Sequence, residues 1–148
     1  MDFLSKKFEF ISFYNRPNCI IGSINKVKTD FITHNYKYVL PPITEEGITY
    51  LSKEDIAAMK LNAITRSGKR LKDFIDIYYL LQYFSIDQMM QFFQIKYPLT
   101  NPLIALKCLV YFDDIDPNID PPKLMKPIKL QAIKTRILDA VLHSQKVY

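Results

Sequence analysis

The hydrophobic period of this chain changes at Ser52, and that change limits the folds open to it. Upstream, "KFEFISFY" (residues 7–14) alternates apolar and polar positions, and "CIIGSI" followed by "KVKTDFITH" reads as two strands meeting near Asn25. With "ITYL" at 48–51 this makes three or four short strands. Between them "VLPPITEEG" reads as a loop, because Pro41 and Pro42 remove ladder donors and Gly47 permits a tight turn.

Downstream of Ser52 the period is helical. Ser52 followed by Asp55 is a variant capping box that starts a first helix, and Gly68 in "SGK" is placed to end it in the left-handed region. A second helix is expected over 70–84 and a third from Ser85 to about Tyr97, closed by Pro98. Asn101 and Pro102 open a fourth helix carrying "LIALKCLVYF", and "PIKLQAIKTRILDAVLHSQ" forms a last one from about Pro127. Strands first and helices afterwards is an α+β order. The expectation is one domain over 1–148: a small antiparallel or mixed sheet in a strand-rich part (1–51), then a bundle of about five helices (52–148).

A chain of 148 residues with 49% hydrophobic and 14% aromatic content can bury a real core and is not disordered. The net charge of +5 and a pI near 9.1 make contact with phosphates plausible, although the basic residues are scattered rather than gathered in a block. Cys19 and Cys108 have no CxxC spacing, and no signal peptide precedes them, so they are expected to be reduced, buried thiols of a cytoplasmic protein. No apolar run is long enough for a membrane span, since even "IDIYYLLQYF" is interrupted by Asp76 and Gln82.

Within "DIAAMKLNAI", Ile56, Met59, Ala63 and Ile64 mark an apolar stripe at helical spacing, and Lys60 falls inside it. An ammonium there needs an anionic partner or a route for its stem to water. The next helix offers Asp73 and Asp76, three apart and therefore on one face. A hairpin across "RSGKR" would bring Lys60 to those acids and crowd Arg66, Lys69, Arg70 and Lys72 at one end. Two readings follow: an ion-pair network holding the hairpin together, or a phosphate-binding lysine beside acids.

"SKEDIAAMKLNAITRSGKRLKDFIDIYYLL", with "KYPLTNPLIALKCLVYFDD" after it and "IGSINKVKTDFITHNYKYVLPPITEEGITYLSKEDIAAMKL" reaching upstream, resembles the C-terminal portion of the AbiEii/AbiGii-type toxin nucleotidyltransferases of type IV toxin–antitoxin systems. The resemblance runs from about Phe8 to Asp114 and is most specific between Lys60 and Asp76. It implies a sheet left from the nucleotidyltransferase fold and transfer of a nucleotide from a nucleoside triphosphate to an acceptor such as tRNA. It also implies a phosphate contact at Lys60, with Asp73 and nearby Asp76 positioning that lysine or the substrate. Asp30 in "VKTDFI" matches the strand where the wider superfamily carries a third acid. Arg66, Lys69, Arg70 and Lys72 are the accompanying candidates for phosphate or nucleic-acid binding.

No pair of neighbouring glycines to form the family's phosphate-binding turn, and no metal-binding DxD, stands ahead of Asp30. The chain has only Gly22, Gly47 and Gly68, no two of them neighbours, and Asp2 is the only earlier aspartate. The resulting expectation is a truncated or degenerate member, inactive alone, with no metal ligands and no cofactor of its own. Mg2+ and a nucleoside triphosphate enter only if an intact family site is reconstituted. The alternatives are an active nucleotidyltransferase completed by a partner chain, such as an upstream-encoded half, and a module binding nucleotide, RNA or antitoxin. An open sheet edge left by truncation predicts a homo-oligomer.

The remaining motifs point to structure. "DDIDPNID" starts like a calcium loop at Asp114, but Ile119 and Met125 stand where Gly and Glu are required, so a solvated loop is expected. His34 and His143 have no metal spacing with either cysteine. The aromatic runs "YYLLQYF" and "MMQFF" are expected to be core.

Overall fold

The computed structural model describes residues 2–148, and the chain divides into two compact units, Met1–Tyr36 and Lys37–Tyr148. The first holds a short helix α1 (Asp2–Lys7) and a meander of β1 (Phe10–Arg16), β2 (Cys19–Ile24) and β3 (Val27–Ile32), with β2 in the middle. Residues with positive φ set its turns: Asn18 (66°) after Pro17 in the first, and Asn25 (49°) with Lys26 (68°) in the second. Two consecutive positive values make the tight hairpin whose twist suits antiparallel strands. Asn25 also receives Glu9 N–H on its Oδ1 at 3.1 Å, which fixes the strand entering the sheet.

Register follows from these turns, pairing Gly22 with Ser12 on one side and Thr29 on the other, with an irregularity between Ser12 and Tyr14. A Cβ at Gly22 would lie 2.4 Å from the Ile11 carbonyl oxygen. Glycine is therefore required by close backbone approach within the sheet, and the chain's one Gly-Ser pair sits inside a strand, not in a phosphate-binding turn. Large apolar side chains of this unit, Phe13 (65%) and Ile32 (61%) among them, are exposed.

The second unit opens with a separate hairpin, β4 (Ile43–Glu45) and β5 (Ile48–Tyr50), turned by Glu46 and Gly47 at positive φ. Among the described residues the strands number five, and β4 arises inside the stretch expected to be loop. Pro41 and Pro42 precede it and so leave its ladder intact. The short helix α1 was not foreshadowed by any periodicity.

Five helices follow: α2 (Lys53–Arg66), α3 (Leu71–Leu80), α4 (Ile86–Lys96), α5 (Pro102–Leu109) and α6 (Leu130–Leu142), completing the expected α+β order. Their boundaries are set by local chemistry. Ser52 accepts from Asp55 N–H, Gly68 is left-handed at φ 61°, Ser85 and Gln88 form a full capping box, and Asn101 caps α5 with Pro102 in its first turn. Helix α3 stops at Leu80, short of residue 84, because the chain tightens into a turn where Gln82 and Tyr83 N–H bond to Tyr79 and Leu80 carbonyls.

The core is built from all five of these helices. Helix α2 contributes Ala57, Ala58, Leu61 and Ile64, and α3 contributes Phe74, Ile75 and Ile77. Met89 and Phe93 of α4, Leu109 of α5 and Ile133 and Ile137 of α6 complete it. The buried face of α2 thus differs from the expected stripe: Ile56 is exposed and Met59 half-buried, so Lys60 stands at the margin of the face, not inside it. The aromatic runs divide likewise. Met89, Phe93, Leu80 and Leu81 are buried, whereas Tyr79 and Tyr83 face outward. Cys19 and Cys108 are free thiols, but half-buried.

Candidate functional site

Lys60 projects from the third turn of α2 towards the start of α3. Its Nζ donates to Asp73 Oδ1 at 3.0 Å and lies 2.6 Å from Asp76 Oδ2. Asp73 is buried in the first turn of α3, where the helix dipole favours an anion. Its second oxygen, Oδ2, accepts from Arg70 Nε at 3.0 Å and meets Arg70 Nη2 at 2.9 Å. The hairpin of helices therefore joins Lys60, Arg70, Asp73 and Asp76 as the spacing anticipated. Burial draws the Lys60 ammonium towards its neutral form, but the hydrogen bonds and charges of Asp76 and then Asp73 outweigh it and raise its pKa above the ordinary lysine value.

This cluster forms one wall of a cleft of about 600 Å³ whose other wall is the loop after α5, through Asp120, Pro122 and Lys123. Lys72 bridges the walls, with Nζ 2.7 Å from Asp120 Oδ1. Arg66 and Lys69 are exposed and do not line the cleft. Lys69 acts through its carbonyl, which accepts from Asp116 N–H at 3.0 Å. Asp30 belongs to the first unit, on β3 opposite Ile21, with Lys28 Nζ 3.9 Å from its carboxylate.

The acids of the cleft do not suit a divalent cation. Asp73, Asp76 and Asp120 already face Lys60, Arg70 and Lys72 at 2.6–3.0 Å. Among the described residues no three His, Cys, Asp or Glu side chains gather where they could hold a metal. In the "DDIDPNID" loop, Asp116 Oδ1 accepts from the backbone N–H and the side-chain amide of Asn118 at 2.9 and 3.1 Å, a local turn rather than a cation cradle.

A second charged pair escaped the sequence reading. Lys96, at the end of α4, donates to Asp55 Oδ1 at 2.6 Å and to the Lys37 carbonyl at 3.1 Å, and both charged side chains are fully buried. Asp55 Oδ2 accepts from Ser52 Oγ at 3.0 Å, Val39 N–H at 3.0 Å and Leu40 N–H at 3.1 Å. Burial pushes the Asp55 carboxyl up, and the Lys96 bond, the two backbone bonds and Ser52 together hold it below the ordinary aspartate value. The signal was present in α4: Ile86, Met89, Phe93 and Lys96 recur at helical spacing, which puts Lys96 on the buried stripe. Its partner lies 41 residues away, at a position read only as a cap.

The histidines stay outside both clusters. His34 packs on Tyr36 with ring centroids 4.8 Å apart, and His143 Nδ1 lies 3.0 Å from Asp139 at the end of α6. Among the described residues no helix is long and apolar enough to cross a membrane.

In comparison with known proteins, no curated protein and no solved structure matches the chain. Compared with protein families, residues 21–138 match the nucleotidyl transferase AbiEii toxin of type IV toxin–antitoxin systems. That span takes in β3, the Lys60 cluster, the cleft loop and most of α6, and it covers well over half of the chain: this protein belongs to the AbiEii nucleotidyl transferase toxin family.

Proposed function

We propose that the helical unit is the phosphate-facing part of a nucleotidyltransferase-type toxin and that the chain does not transfer a nucleotide by itself. The observation that carries this reading is the state of the cleft acids: each is matched to a cation of the same chain, so the cleft presents cationic donors instead of a metal-binding pair. A lysine ammonium has three protons. Two of those on Lys60 are directed to Asp73 and Asp76, which leaves a third to meet a phosphate oxygen entering the cleft. Arg70, Lys72 and Lys123 line the same cleft and would share the negative charge of a triphosphate or an RNA backbone. In this role Asp73 and Asp76 position Lys60.

Membership of a toxin–antitoxin family implies an antitoxin as partner. The acceptor we assign to the family-type reaction is tRNA, with Mg2+ held by residues outside this cluster once an intact family site is reconstituted. The exposed Phe13 and Ile32 on the open-edged meander support self-association, which light scattering at two protein concentrations would register.

Incubation with labelled nucleoside triphosphates, Mg2+ and tRNA is expected to leave the tRNA unlabelled. Titration with tRNA should nonetheless give binding that weakens steadily as salt rises, and Lys60→Ala should weaken it further. Labelled tRNA that disappears with Lys60→Ala would overturn the reading in favour of an active transferase. No binding at low salt would remove the phosphate-facing role.

A further inference from the structure

Among the described residues β1 and β3 are the outer strands of the meander, and their free edges differ. That of β1 is broken by the irregularity between Ser12 and Tyr14, the kind of bulge that discourages a further strand, whereas β3 pairs with β2 without a break from Val27 to Ile32. The turn at Asn25 and Lys26 closes on the pair Ile24 and Val27, and antiparallel bonds alternate along a ladder. The main chain of Val27, Thr29 and Phe31 therefore bonds to β2, and Thr33 N–H, next in that odd-numbered series, donates to the Asn18 carbonyl at 3.0 Å. The N–H and C=O groups of Lys28, Asp30 and Ile32 point the other way, out of the sheet edge.

Every residue of β3 is exposed except Thr29, which is half-buried. Lys28, Asp30 and Ile32 share one face, and Val27, Thr29 and Phe31 share the other. Lys28 Nζ lies 3.9 Å from Asp30 Oδ2, so a cation and an anion stand side by side along this edge. A second β3 laid antiparallel about a two-fold axis at Thr29 complements both. Lys28 of each copy then faces Asp30 of the other, at the positions whose outward N–H and C=O groups can exchange main-chain bonds. On the opposite face Val27 of each copy meets Phe31 of the other, on either side of Thr29 against Thr29. Cross-strand pairs of opposite charge, and of aromatic with β-branched side chains, are favourable ones. Centring the pair on Lys28 or on Asp30 sets like charges face to face, and centring it between residues loses the main-chain bonds, because the odd-numbered groups already serve β2.

We infer that β3 is the edge through which two copies of this chain join, antiparallel and centred on Thr29, so that two three-stranded meanders make one six-stranded sheet. This rests on the self-association proposed above and assigns it an edge and a register.

The test is sedimentation equilibrium of the full chain at low salt, where exposed charge pairs are least screened. The unaltered chain should reach a dimer as its concentration rises. Lys28→Asp and Asp30→Lys each set like charges opposite one another, and each should weaken dimerisation about tenfold or more. An equimolar mixture of these two variants should recover dimers, because an acidic edge then faces a basic one. Each change moves the net charge of +5 by two, so both variants stay positive and general attraction between them does not predict that recovery. Making both changes in one chain, Lys28→Asp with Asp30→Lys, should restore the self-association of the unaltered chain. Dimers that ignore the single changes, or a mixture that does not recover, overturn the β3 edge and leave self-association through another surface, such as the one holding Phe13. A chain that stays monomeric at every concentration overturns the edge and the self-association together.

Discussion

Two of the lysines that aspartates hold in the helical unit, Lys96 and Lys60, differ in almost everything except that pairing. Lys96 and Asp55 have 0% side-chain exposure, and between them they collect the Lys37 carbonyl and the Val39 and Leu40 N–H groups. Lys60 is 29% exposed, its nearer partner Asp76 is 42% exposed, and both line a cleft. A charge pair without access to water can only organise the chain around it, whereas one with a wet side can exchange partners. The difference separates a buried fastening from a pair open to a ligand, although the local chemistry of the two is the same.

The largest effect that would break this contrast is expected at the buried pair. Asp55→Ala strands the Lys96 ammonium and two backbone N–H groups, and should cost about 3–5 kcal/mol in urea denaturation. The double change Asp55→Leu with Lys96→Met should be less damaging than Asp55→Ala alone, because no buried charge is left behind. An intermediate effect is expected at the cleft. Lys60→Met should cost about 1 kcal/mol, since Asp73 keeps Arg70 and Asp76 turns to solvent. If it costs as much as Asp55→Ala, the two lysines are alike and the distinction fails.

The smallest effect is a difference in pH response. Asp55 is held below its ordinary value, so its contribution is complete above about pH 4 and is lost as pH falls through the lower folded value. Lys60 is held above its ordinary value, so its contribution is complete below about pH 10 and is lost as pH rises through the higher folded value. Melting temperatures measured across pH should therefore lose their acid-side drop in part with Asp55→Asn and their alkaline-side drop in part with Lys60→Met.

The same contrast explains what could be read in advance. Helix ends were legible because Ser52, Gly68, Ser85, Asn101 and Pro102 act within a few residues of themselves. The Lys60 pairing was legible because Asp73 and Asp76 share a face of the next helix across a short connection. Asp55 was different: its capping role was visible nearby, but its bonds to Lys96, Val39 and Leu40 depend on tertiary packing. The α2 stripe was misplaced by a fraction of a turn because Ala57 and Ala58, small enough to be overlooked in a pattern of large apolar residues, are fully buried on that face. The hairpin strand β4 was missed because three residues are too few to show a period.

Gly22 has a consequence for inheritance. Every amino acid reachable from a glycine codon by one base change adds at least a Cβ, and at this position a Cβ meets the main chain of the adjoining strand at 2.4 Å. The strand pair β1 and β2 thus has a site with no conservative neighbour in sequence space. Drift that leaves the surface lysines free to vary is expected to leave this codon alone wherever the meander is still in use.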